Sequence, residues 1–91
     1  MSRMIKVYQL APPFMVELPR DAKVLTLDVV DKRIFIYVEL DPMAVTLKRT
    51  FTPVGTGHAI QEHVGEYVGT VSPEPGYVLH FYEDLPNAFN T

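Results

Sequence analysis

Hydrophobic and polar residues alternate along most of this chain, with the two-residue period of a β-strand and not the 3.6-residue period of a helix. Between Lys23 and Val30, Leu25, Leu27 and Val29 fall on one face and Thr26 and Asp28 on the other. Between Arg33 and Leu40, Ile34, Ile36, Val38 and Leu40 share a face, while Phe35, Tyr37 and Glu39 share the opposite one. Only Asp31 and Lys32 separate the two runs, which therefore read as a β-hairpin. The favoured two-residue turns hold both central residues at positive φ and prefer glycine, so Asp31-Lys32 predicts a strained or slightly longer turn.

The same alternation marks strands over Ile5 to Leu10 and Phe14 to Leu18, broken by Pro12-Pro13. Pro19 to Asp21 turn the chain into the hairpin, and Asp41-Pro42 end it. A fifth strand is expected over Thr46 to Thr52, and a second hairpin from Tyr67–Val71 and Tyr77–Tyr82 around Ser72 to Gly76. Only Gly57 to Val64 offers room for a helix, of barely two turns. The expected fold is thus all-β and mainly antiparallel: a small β-sandwich or half-open barrel of six or seven short strands with at most one short helix. It forms a single domain over residues 1–91, with residues 1–3 and about 84–91 expected to fray.

Composition narrows the class. Ninety-one residues, 47% hydrophobic and 21% charged, suit one small globular core. There is no cysteine, which favours a reducing compartment over a disulfide-stapled secreted one. Lys6 and Gln9 interrupt the N-terminal apolar run, so no signal peptide is expected, and Met4 could serve as an alternative start. No run approaches the roughly 20 apolar residues of a membrane helix. The expected location is the cytoplasm, without membrane contact.

Charge is uneven: all 8 Lys and Arg lie at or before Arg49, giving that part +2 against its six acids. The remainder carries five acids and no Lys or Arg, hence −5. Folding can interleave the two parts, and the basic patch available to nucleic acid is at most modest, so no nucleic-acid partner is expected.

Candidate chemistry is sparse. Gly55-Thr56-Gly57-His58 could converge backbone N–H groups into an anion-binding nest, or its glycines could simply supply positive φ at a turn. It lacks the lysine of a P-loop and the third glycine of a dinucleotide fingerprint. His58 and His63 are five apart, off helical pairing, and zinc would need His80 with Glu62 or Glu66 as well; no metal site or cofactor is expected. Ser2 and Ser72 are the only serines and there is no cysteine, so no catalytic set is visible and an enzyme is not expected. The second apolar face of the fourth strand, Phe35 and Tyr37, is either covered by the chain itself or an interface. A homodimer is one such interface; the Gly57 to Val64 turn or the tail with Phe89 folding over that face is its rival.

Several segments together resemble a family of small uncharacterised proteins from bacteriophages and prophage-bearing bacteria. These are Glu17-Leu18-Pro19, Leu40-Asp41-Pro42, Val54-Gly55-Thr56-Gly57-His58, Tyr67-Val68-Gly69-Thr70 and Val78-Leu79-His80-Phe81-Tyr82-Glu83. The chain departs from that family at Asp31-Lys32, where Asn-Gly or Asp-Gly is common, and at Tyr37, where tryptophan occurs. The resemblance implies a phage context and no chemistry. The leading expectation is a non-enzymatic phage accessory protein that binds another protein, with inhibition of a host or host-defence target as one form of that role. The alternatives are a binder of a small anionic ligand, such as a nucleotide, at Gly55 to His58, and a minor virion component.

Overall fold

The computed structural model describes residues 2–86. Seven antiparallel strands form two sheets: β1 (Met4–Gln9), β2 (Met15–Pro19), β3 (Lys23–Val30), β4 (Arg33–Leu40), β5 (Thr46–Gly55), β6 (Val64–Glu74) and β7 (Tyr77–Asp84). One sheet has the order β1-β4-β3 and the other β2-β5-β7-β6. They pack as an open sandwich and do not close into a barrel. The thinnest dimension is 18 Å, as two sheets about 10 Å apart require once their outer side chains are added.

The β3–β4 hairpin forms as the alternation predicts. Val30 pairs with Arg33 across a two-residue turn, and Asp31 and Lys32 sit at φ 51° and 66°. The turn is therefore strained and not lengthened: both residues take the left-handed conformation that L side chains disfavour. Ile34, Ile36, Val38 and Leu40 are buried, while Phe35, Tyr37 and Glu39 alternate on the other face.

The facing of β3 departs from strict alternation. A register shift between Val24 and Thr26 leaves Leu25 exposed and puts Val24 opposite Val38. Val24, Leu27 and Val29 pack against the core. A bulge inserts one residue and so resets which positions face inward.

The core gathers Phe81, Leu18, Ile36, Leu40 and Val38, all fully buried, around Phe51, Val16 and Leu10. Phe14 meets Phe81 edge to face, with ring centroids 5.4 Å apart. The sheets approach most closely where β3 lies on β6: a Cβ at Gly69 would come within 3.1 Å of Leu27 Cδ1.

Three further expectations are corrected. Gly57 to Val64 holds no helix; the segment opens on a turn closed by His58 N–H donating to the Gly55 carbonyl, and β6 begins at Val64. Two turns of helix would not recover the cost of nucleation, and Gly57 stands at φ 88°. Strands β5, β6 and β7 run longer than predicted, so the second hairpin turns at Pro75-Gly76 alone. Asp84, where fraying is expected to begin, instead completes β7 after Glu83 and is buried. At the other end Arg3 Nε donates to Glu39 Oε2 at 2.7 Å. Phe89 lies outside the described residues.

Candidate functional site

Gly55 to His58 is a reverse turn. Gly57 supplies the positive φ of its third position, and Gly55 lies so close to the His58 ring that an added Cβ would meet His58 Cδ2 at 3.1 Å. Both glycines thus have a conformational or steric role. The Thr56 hydroxyl is engaged as well, 2.8 Å from His80 Nε2, while Thr70 Oγ1 lies 2.9 Å from His80 Nδ1 and is itself bonded to the Tyr67 hydroxyl. Tyr67 stacks edge to face on Tyr82 at 5.4 Å. The segments that carried the resemblance therefore converge: the glycine loop, the Tyr67 to Thr70 stretch and the His80 strand meet around one imidazole on the outer face of the four-stranded sheet. With both ring nitrogens occupied by hydroxyls, His80 works as a cross-strand tie.

A second polar cluster lies farther along the same face. Asp84 accepts from Thr50 Oγ1 at 2.7 Å and from Thr52 Oγ1 at 2.6 Å. His63 Nε2 lies 3.3 Å from Thr52 Oγ1 and 3.8 Å from Asp84 Oδ1. In a nucleophilic triad the imidazole stands between hydroxyl and carboxylate. Here the hydroxyls donate straight to the carboxylate, so the geometry satisfies a buried acid and does not activate a nucleophile. Among the described residues no three His, Asp or Glu side chains converge as metal ligands; His63 and His80 belong to separate hydrogen-bond networks, and the His58 ring lies against Gly55.

An open cleft of about 1050 Å³ runs beside β2 and the end of β7. At its floor Arg49 makes a bidentate pair with Glu83, at 2.6 and 2.8 Å, and donates to the Ala22 carbonyl. This ties β5, β7 and the β2–β3 turn together, with the pair about one-fifth exposed.

The remaining candidate is the outer face of the three-stranded sheet. Register fixes its composition. The row Ile5–Glu39–Lys23 is followed by Val7–Tyr37–Thr26, then Gln9–Phe35–Asp28, and then Arg33–Val30. Phe35 and Tyr37 thus lie at the centre of a diagonal apolar band completed by Ile5, Val7 and Val30, which are 62%, 52% and 50% exposed. Charged and amide side chains border it. The described part of the Gly57 to Val64 turn does not cover it: that segment leaves β5 and enters β6, in the other sheet.

The family model described as a domain of unknown function (DUF7352) matches residues 1–89. The chain belongs to that family. No curated protein and no solved structure matches it. The match spans all seven strands, so both sheets and both polar clusters lie within the DUF7352 unit.

Sequence reasoning singled out Phe35, Tyr37 and the glycine loop, but missed the partners that complete each. Ile5 and Val7 were legible as alternating positions of β1; what was missing was the register that sets them beside Tyr37. Thr50, Thr52 and Asp84 were missed because the last strand was ended two residues early.

Proposed function

We propose that this DUF7352 chain is a non-enzymatic protein-binding module, and that it binds through the outer face of its β1-β4-β3 sheet. The observation that carries the reading is the apolar band of Ile5, Val7, Phe35, Tyr37 and Val30, on a sheet face that no described element covers. Protein-binding patches combine such an apolar and aromatic centre with a polar rim, and Lys23, Asp28, Arg33 and Glu39 provide the rim. The resemblance to phage and prophage proteins supplies the context: an accessory protein acting in the cytoplasm on a host protein. The two polar clusters are spent on holding strands together, whereas Ile5, Val7 and Val30 of the aromatic face remain at least half exposed.

The test is capture from host lysate by the folded protein and by its Tyr37→Glu variant, run side by side. A partner retained by the parent and lost by the variant supports the reading. Equal recovery by both, or none by the parent, overturns it. The glycine loop is expected to take no ligand. Nucleotides and phosphate should leave the melting temperature unchanged, whereas saturating binding at about 100 times Kd would add about 2.7 kcal/mol, or several degrees.

A further inference from the structure

The four sheet edges are not alike. β3 carries a bulge and lies against β6, β6 has three register shifts and Pro73, and β2 is five residues long and ends in Pro19. β1 is regular, proline-free and exposed on both faces: Met4 and Lys6 on its inner side and Ile5 and Val7 on its outer side are all solvent-exposed. Among the described residues it therefore lacks bulges, prolines and cover, the usual protections of an edge strand, and retains one, the inward-pointing charge of Lys6.

The direction of its backbone groups follows from one hydrogen bond. Leu10 N–H donates to the Ile34 carbonyl. Antiparallel pairs alternate between bonded and non-bonded, so Leu10, Tyr8, Lys6 and Met4 bond inward to β4. The N–H and C=O groups of Ile5, Val7 and Gln9 then point to the open edge.

We infer that this edge pairs with β1 of a second copy, antiparallel about a two-fold axis at Val7, to form one continuous six-stranded sheet. In that register Val7 exchanges two hydrogen bonds with Val7 of the second copy, and Ile5 and Gln9 exchange two with Gln9 and Ile5, giving six in all. Charge disfavours the neighbouring register centred on Lys6. Pairing centred on Lys6 would set two lysines opposite each other, which is destabilising, whereas centring on Val7 sets each Lys6 opposite Tyr8 of the other copy. The assembly closes at two, because the far edge of this sheet, β3, lies against β6. It also brings the two apolar outer faces side by side and covers neither of the half-buried Phe35 and Tyr37, so it is independent of the binding role proposed for them.

Sedimentation equilibrium of the full chain at micromolar concentration should give twice the 10.3 kDa chain mass. Val7→Pro removes an N–H that β4 does not use, and should sediment as a folded monomer. Hydrogen exchange on the unaltered protein gives a second reading: the Val7 amide should be protected at high concentration and lose that protection on dilution, while the Tyr8 amide stays protected. A monomeric parent, a Val7→Pro variant that remains dimeric, or Val7 exchange independent of concentration each overturns the inference. A dimer dispersed by Tyr37→Glu but not by Val7→Pro overturns it too, and shows that the faces pair instead.

Discussion

At the scale of single residues, two positions carry costs or contributions that can be read directly. Lys32 sits at φ 66° in the β3–β4 turn, where an L side chain costs roughly 1–2 kcal/mol. Its ion pair with Glu74, at 3.5 Å and well exposed, returns little of that. Lys32→Gly should therefore stabilise the domain by about 1 kcal/mol, seen as a higher urea midpoint at unchanged slope. A lower midpoint would mean that the turn does not hold this conformation in solution. Asp84 is the opposite case: its side chain is 5% exposed and receives two threonine hydroxyls. Asp84→Ala removes the carboxylate that both hydroxyls share and should cost about 2 kcal/mol, or about 10 °C in a domain of this size. A melt within two or three degrees of the parent, about half a kcal/mol, would show that the cluster is solvated.

At the scale of elements, close approach of strands sets what is tolerated. A Cβ at Gly65 would fall 2.9 Å from the Glu83 carbonyl oxygen, and a backbone atom cannot step aside as a side chain does. Gly65→Ala should cost about 1–3 kcal/mol by overpacking β6 on β7, whereas at Gly69 the clash is with the flexible Leu27 side chain and should cost less. Equal melts for the two variants would contradict this contrast. The elements themselves were largely legible in the sequence: period-two alternation placed the central hairpin and assigned the buried face of β4 correctly. The bulge at Leu25 was not legible, because one inserted residue leaves no mark in a run where Val24, Leu25, Leu27, Val29 and Val30 are all apolar. The extension of β5 across Pro53 was equally hidden, since proline there reads as a strand breaker. The convergence of Thr56, Thr70 and His80 depends on register between distant strands, which local pattern does not encode.

At the scale of the whole molecule, two thin sheets overlap only in part, and that offset decides what is left for function. Strands β3 and β4 bury one face against β2, β6 and the aromatic core, while β1 overhangs and the opposite face of its sheet stays uncovered by the described chain. The charge asymmetry along the sequence dissolves at this scale, because Arg49–Glu83 and Lys32–Glu74 pair basic residues of the first part with acids of the second. The account rests on the two faces of β4 doing different jobs, one packing the core and the other meeting a partner. Thermal melts of Ile36→Asp and Tyr37→Glu, neighbours on the same strand, compare those faces directly. Ile36→Asp places an unpaired charge at a fully buried position and should abolish folding. Tyr37→Glu should stay folded and melt within about 1 kcal/mol of the parent, or some 4–8 °C. A Tyr37→Glu variant that unfolds as Ile36→Asp does would contradict the account, because the aromatic face would then be core.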